Sequence, residues 1–305
     1  MHATGIDISM NRSRLQIAKP DIIKFFDELA SPVLKLRQVQ SILSHQRGFW
    51  RLAQSTSTAD FIAFLKRYAK LRQIEFPFPQ RGETLYIWGE APFHTILMGL
   101  RKDAYFSHYT AMRLHGLTEQ TPTAVYLTDE RSQGPPRSPV KLTQLDIDQA
   151  FAQLPRVSHN TVVYEERKIY LLNGAYTGHL GLVTERVNDD RGQDIEVRMT
   201  SLERTLIDIT VRPFYAGGVY EVAKAFALAK DVVSVNKLVT TLRKLEFTYP
   251  YHQAIGYYLE RARFKPSLLD LVRRLPMEHD FYLAHDMGAK KRYVSDWRLF
   301  VPDGF

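Results

Sequence analysis

The strongest constraint on the fold of this chain is a change of hydrophobic period near residue 72. Before this point, apolar residues recur at helical spacing in three stretches. After it, residues 73–78 and 83–88 alternate around Pro79-Gln80-Arg81-Gly82, a pattern typical of two strands joined by a turn with glycine at the bend. Three helices followed by a β-hairpin is the element order of a winged helix-turn-helix, so the sequence predicts one at the N-terminus.

The three helices have separate start and stop signals. The first is predicted to begin at Asp21, after Pro20, and to end before Ser31. The second covers about 36–43. The third should begin at Ser57, which with Asp60 resembles a capping box, and run to about Leu71.

Positive charge is concentrated in this same region. The 305-residue chain has a formal net charge of +8, and residues 1–101 hold 14 Lys and Arg against 8 Asp and Glu. Six of the eight net charges therefore lie in the first third. A basic helical module with a hairpin favours binding to double-stranded DNA, while a solvated basic face on a protein-binding module is the alternative.

The third helix would be the recognition helix, which enters the major groove with its N-terminal residues near the base edges. Its start offers hydroxyl groups, Ile62 could contact a thymine methyl, and basic residues on the helix, before it and at the hairpin tip could reach phosphates. The candidate DNA-binding residues are Arg47, Arg51, Thr56, Ser57, Thr58, Ile62, Lys66, Arg67 and Arg81.

In the remainder of the chain, stretches with helical spacing of apolar residues are mixed with stretches that alternate like strands. This mixture predicts an α+β domain. Strands are expected at 124–128, 161–164, 168–172 and 195–199, and helices at 91–100, 107–117, 201–210, 220–230, 233–245 and 253–262. The boundary is placed near Gly89–Pro92. We therefore expect a winged helix-turn-helix over 1–90 and a larger mixed α+β domain over 91–305.

Several classes of protein are disfavoured. The chain has no cysteine, which excludes disulfides, thiolate metal sites and a cysteine nucleophile. Residues 1–20 lack the apolar core of a signal peptide, and no stretch has the length of a membrane helix, so a cytoplasmic protein without membrane contact is expected. His108 and His115 are too far apart in sequence for the usual metal pair, and no cofactor motif occurs.

One enzymatic alternative stays open. Glu166 and Lys168 have the Glu-x-Lys spacing found in Mg²⁺-dependent nucleases, where a carboxylate holds the metal and the lysine stabilises developing charge. Such a site needs a further acidic residue on an adjacent strand, whereas Asp148 lies in a segment with helical character. A surface charge cluster is the simpler interpretation, and we expect a protein that is not an enzyme.

Four segments of the larger domain resemble the AbiEi family of bacterial antitoxins, and together with the N-terminal module they extend the resemblance over most of the chain. The Ser-Leu-Glu-Arg-Thr-Leu-Ile-Asp run is the most specific piece. The segments are 105–117 with Gln120 and Pro122 after it, 198–208, 215–218 and 253–260.

The resemblance implies a two-domain regulator. Its winged helix would bind inverted repeats in its own promoter and repress transcription, and its C-terminal domain would neutralise a nucleotidyltransferase-like toxin without a stable complex, the type IV arrangement in phage defence. Lys290, Lys291 and Arg292 form a second basic cluster that could touch DNA or the target of the toxin. A regulator without any toxin partner remains an alternative.

Overall fold

The computed structural model describes residues 13–135, 141–189, 191–288 and 290–305. Across these ranges the chain is a mixed α+β protein that divides into two units. The first comprises the described residues up to Pro77 together with Arg81–Leu100, and the second comprises Phe78–Gln80 with Arg101–Phe305. The helix next to the expected boundary, Phe93–Met98, is grouped with the first unit.

The first unit begins with a helix, continues through a short strand and two further helices, and ends in a hairpin and a short helix. Its elements are α1 (Arg14–Asp27), β1 (Val33–Leu34), α2 (Leu36–Gln46), α3 (Thr58–Tyr68), β2 (Leu71–Phe76), β3 (Glu83–Trp88) and α4 (Phe93–Met98). The hairpin strands pair antiparallel, and β1 adds to the other edge of β3, which gives the order β1-β3-β2.

Two predicted helix boundaries are wrong. The first helix starts at Arg14, not Asp21, because Ser13 caps it by accepting a hydrogen bond from the Gln16 backbone N–H, and Pro20 lies inside the helix. The third helix ends at Tyr68, and Leu71 is instead the first residue of β2, paired with Trp88. The second helix and the hairpin strands are confirmed within a few residues.

An aromatic cluster forms the centre of the first unit. Phe26 lies 4.7 Å from Trp88 and 6.2 Å from Phe61 between ring centroids, and Trp50 stacks on Phe61 at 5.7 Å. The Trp88 indole N–H donates to Asp27 Oδ1 at 2.6 Å. Burial of these large rings, together with the aliphatic side chains around them, stabilises the unit.

The second unit is built on one six-stranded mixed sheet. Its strands are β4 (Tyr105–Phe106), β5 (Ala124–Glu130), β6 (Thr161–Tyr164), β7 (Arg167–Gly174), β8 (Leu182–Asn188) and β9 (Asp194–Thr200). They are ordered β6-β7-β5-β4-β9-β8; the pairs β5–β7 and β4–β9 are parallel and the other pairs antiparallel.

Helices and a small three-stranded sheet complete this unit. The helices are α5 (His108–Leu114), α6 (Gln144–Ala152), α7 (Leu202–Val211), α8 (Val219–Leu228), α9 (Val235–Lys244), α10 (Tyr251–Arg261) and α11 (Pro266–Arg273). The sheet consists of β10 (Phe281–Tyr282), β11 (Lys291–Val294) and β12 (Leu299–Pro302), in the order β10-β12-β11. The predicted strands and helices of this region are confirmed with small shifts of their ends.

Two of the segments that carry the family resemblance are deeply buried in this unit. Within α7, Arg204 Nε lies 2.7 Å from Asp208 Oδ1, and both side chains are almost fully buried. Burial raises the pKa of Asp208, while the neighbouring guanidinium opposes that shift. In α10, a Cβ on Gly256 would lie 2.0 Å from the Trp297 ring, so only glycine fits there. These residues are part of the packing of the unit.

Candidate nucleic-acid interface

Helix α3 is held so that one side packs and the other faces solvent. Phe61 and Leu65 are fully buried in the core of the first unit, which fixes the rotation of the helix about its axis. Ala59, Ala63 and Lys66 lie on the exposed side.

The exposed side of α3 forms one wall of an open groove of about 740 Å³. The other residues come from the start of α2 and from β3. The lining consists of Leu36, Gln40, Thr58, Ala59, Ile62, Ala63, Lys66, Arg67 and Tyr86. Four of the predicted DNA-binding residues, Thr58, Ile62, Lys66 and Arg67, are therefore brought together here.

Lys66 and Arg67 supply positive charge where the C-terminal end of α3 lines the groove. Lys66 Nζ donates to Gln73 Oε1 at 3.0 Å, and the Arg67 guanidinium lies 5.1 Å from the centroid of the Tyr68 ring. Both partners are uncharged, so neither contact neutralises the cation. Both side chains are exposed and can approach a phosphate.

Charge at the N-terminal end of α3 is negative instead. Asp60 accepts hydrogen bonds from the Ser57 hydroxyl and backbone N–H, and these bonds lower the pKa of its carboxyl group. Ser57 therefore serves as the helix cap, the structural role that the sequence also predicted for it. An ionised carboxylate at this end repels phosphate, so the cationic end of α3 is the better phosphate contact.

The predicted residues before α3 have different surroundings. The Arg47 guanidinium donates to the backbone carbonyls of Ala53 at 2.5 Å and of Thr56 at 2.9 Å. It thereby stabilises the turn that leads into α3. Thr56 lies half-buried in that turn, whereas Arg51 is exposed and has a positive φ of 51°.

Ile62 and Arg81 differ strongly in exposure. Ile62 is only 8% exposed and belongs to the core of the first unit, although one side of it lines the groove. The Arg81 side chain is 81% exposed in the loop between β2 and β3, and its Nε lies 3.6 Å from Glu83 Oε1. A methyl contact from Ile62 can be made only at the floor of the groove.

The C-terminal basic cluster has intramolecular contacts. Lys291 Nζ lies 5.1 Å from the centroid of the Tyr282 ring and 5.2 Å from that of Phe300. Arg292 donates to the backbone carbonyl of Phe305 at 3.2 Å. Lys290, like both of these residues, is exposed. The cluster is accessible, but two of its three cations also stabilise the small sheet.

Glu166 and Lys168, the residues of the nuclease hypothesis, lie at the tight turn between β6 and β7, whereas Asp148 lies on α6. Glu166 is in the turn between β6 and β7 with a φ of 61°, and Lys168 Nζ lies 5.1 Å from the centroid of the Tyr170 ring. Asp148 Oδ1 accepts hydrogen bonds from Gln144 and Tyr282. Within the described ranges, no group of three or more His, Asp or Glu is placed to hold a metal ion.

Five lining residues are not among the predicted DNA-binding residues: Leu36, Gln40, Ala59, Ala63 and Tyr86. Leu36 is 42% exposed at the start of α2, and Tyr86 lies on β3. An exposed leucine at a helix start carried a weak signal, because a single surface apolar residue is common. Tyr86 reaches the groove through strand pairing, which the local sequence does not encode.

Comparison with known proteins defines the fold and nothing beyond it. No known protein-family model matches the chain, and no curated protein matches it. A solved structure, the RV2827C protein from Mycobacterium tuberculosis, is similar with a TM-score of 0.57 and 12% sequence identity; the alignment covers 95% of this chain and 93% of that one. In the part of the chain that the structure describes, no helix has the length and apolar character needed to cross a membrane.

Proposed function

We propose that the first unit is a winged helix-turn-helix that binds double-stranded DNA with α3 as its recognition helix. The observation that carries this proposal is the exposed face of α3, which combines a lined groove with two cations whose contacts among the described residues are to uncharged side chains. The element order supports it, because helix, short strand, two helices and a hairpin follow one another as in that fold.

The charge distribution supports the same proposal. Each base-pair step of DNA carries two phosphate charges, and a protein gains affinity by neutralising them and releasing counterions. Six of the eight net positive charges lie within residues 1–101, the third of the chain that contains α3. Lys66, Arg67 and Arg51 are the exposed cations that the proposal assigns to phosphates, and Arg81 extends the set to the hairpin loop.

We further propose that the protein is a sequence-specific autorepressor that binds inverted repeats in its own promoter, and that it is the antitoxin of a type IV toxin–antitoxin system. This part rests on the AbiEi resemblance of the second unit. The proposed functional partner is a nucleotidyltransferase-like toxin, which the antitoxin counteracts without forming a stable complex. Lys290, Lys291 and Arg292 are the proposed contact residues of the second unit.

Two cellular experiments test these proposals separately. Autorepression predicts that the parent protein silences a reporter driven by the protein's own promoter. The double variant Lys66→Ala/Arg67→Ala should leave this reporter expressed. If that variant repressed the reporter as the parent does, α3 would not be the helix that binds the promoter. Antitoxin activity predicts that co-expression restores growth of cells that express the adjacent gene. Growth arrest that persists would leave a regulator without a toxin partner.

A further inference from the structure

The middle of the exposed face of α3 is apolar and consists mainly of small side chains. Ala59 and Ala63 are exposed and lie one helical turn apart. Ile62 lies beside them as part of the groove floor, and Leu36 of α2 adds a further 42% exposed apolar side chain. Among the lining residues of α3, those that could donate hydrogen bonds lie at the ends of this strip, with Thr58 at one end and the two cations at the other. Gln40 of α2 and Tyr86 of β3 line the groove from outside the strip.

This arrangement determines what the strip can recognise on DNA. Base pairs present donors and acceptors in the major groove, and the apolar group that they present there is the C5-methyl of thymine. Alanine and isoleucine side chains cannot form hydrogen bonds with base edges, but they can bury a methyl group. The small size of Ala59 and Ala63 also lets the helix backbone approach the bases closely.

The spacing fits neighbouring base pairs. Four residues of α-helix rise about 6 Å, from Ala59 to Ala63. Base pairs of B-DNA are stacked about 3.4 Å apart, so the two alanines span about two base-pair steps. We propose that the strip of Ala59, Ile62 and Ala63 reads thymine methyl groups on base pairs that lie within about two steps of each other. This inference rests on the proposed DNA-binding function and adds the base that the helix recognises.

The test compares two versions of the DNA upstream of the protein's own gene, one synthesised with thymidine and one with deoxyuridine. Uracil differs from thymine by the single methyl group and pairs identically with adenine. Each buried methyl is worth about fourfold in affinity, so loss of two contacts should weaken competitor-resistant binding about tenfold or more. Binding to random-sequence competitor DNA should be the same for both bases.

Matched serine variants separate contact with the strip from changes in DNA shape. Ala63→Ser places a hydroxyl where the methyl would be buried, so the affinity ratio between thymine DNA and uracil DNA should fall toward one. Ala227→Ser makes the same change at an exposed alanine of α8 and should keep the parent's ratio.

Three results would overturn the inference. Equal competitor-resistant affinity for both DNAs would contradict it and leave the proposed DNA-binding function standing. A ratio unchanged in Ala63→Ser would assign the uracil effect to DNA shape, away from α3. Absence of competitor-resistant binding to either DNA would overturn the proposed function together with this inference.

Discussion

Ser57 and Asp60 each accept a hydrogen bond from the other's backbone N–H at the start of α3. The Asp60 backbone N–H donates to Ser57 Oγ and the Ser57 backbone N–H donates to Asp60 Oδ2, each at 3.1 Å. The Ser57 hydroxyl adds a third bond to the same carboxylate oxygen at 2.6 Å. Two backbone donors at the helix start are thus satisfied by side chains, which is the capping-box arrangement that the sequence predicted.

Removing this cap should destabilise the first unit. We expect Ser57→Ala to lower the free energy of unfolding by about 1 kcal/mol, because one N-terminal donor loses its partner. The urea midpoint of the first-unit transition, followed by tryptophan fluorescence, measures this loss. Ser55→Ala is the matched control, since Ser55 is an exposed serine two residues earlier. Equal midpoints for the two variants would contradict a capping role for Ser57.

Breaking the buried Arg204–Asp208 pair should cost far more stability than breaking an exposed pair. Arg204→Met leaves the Asp208 carboxyl buried without its partner, and breaking such a pair costs about 3 kcal/mol or more. Arg186→Ala breaks the contact between Arg186 Nη1 and Asp194 Oδ2, whose side chains are 75% and 59% exposed, and should cost less than about 1 kcal/mol.

Chemical denaturation of both variants checks this difference. A double variant, Arg204→Met/Asp208→Leu, should recover part of the stability lost in Arg204→Met, because it no longer buries an unpaired carboxyl. Equal destabilisation by Arg204→Met and Arg186→Ala, or no recovery in the double variant, would show that the pair is not a buried structural contact.

The sequence predicted the cap of α3 and the strands of the hairpin, because these depend on residues close together in the chain. It placed the start of α1 wrongly, since Pro20 was interpreted as a helix start although Ser13 and Gln16 carry a capping signal. Strand β1 has two residues and exists through its pairing with β3, which is a long-range contact. Local patterns cannot encode such pairing.

The same distinction holds for the candidate interface. Lys66 and Arg67 could be assigned to it because helical spacing puts them on the exposed face. Arg47 was also assigned, but its guanidinium binds backbone carbonyls of a turn whose path depends on tertiary structure. Tyr86 was missed because it reaches the groove from another element.

Lys66 and Arg67 should contribute affinity without sequence preference. Each of Lys66→Ala and Arg67→Ala is expected to weaken binding to all DNA sequences and to reduce the slope of log affinity against log salt by about 1. Thr58→Ala should instead relax discrimination between specific and random DNA. Fluorescence anisotropy at several salt concentrations measures both effects.

The matched control for the cations is Lys230→Ala, which removes an exposed charge from the second unit. It should leave the salt slope at the parent's value. If Lys66→Ala and Arg67→Ala bound DNA like the parent, α3 would not be the recognition helix.

The free energy of unfolding should fall on mild acidification because of the half-buried His252. Burial lowers the pKa of His252 from 6.5 to about 4. The hydrogen bond to the Pro276 backbone raises this pKa, but its effect is smaller than that of burial. Between these two values the unfolded chain binds a proton that the folded chain does not. The contribution of His252 is therefore complete above about pH 6.5 and is lost progressively as the pH falls toward 4.

Melting temperatures at pH 7 and pH 5 test this contribution. His252→Gln, which carries no titrating ring, should lose less stability over that interval than the parent. The control His45→Gln makes the same substitution at an exposed histidine. An identical loss in His252→Gln and the parent would show that His252 is protonated equally in both states.

The most direct test of sequence-specific DNA binding is a gel mobility shift of the purified protein with the DNA upstream of its own gene, titrated with salt and with random-sequence competitor. Any basic protein binds DNA without preference at low salt, so resistance to competitor is the decisive readout. We predict discrete shifted bands that persist in excess competitor. A smear that disappears with competitor would contradict sequence-specific binding. The positive charge of the first unit would then explain only a general affinity for polyanions.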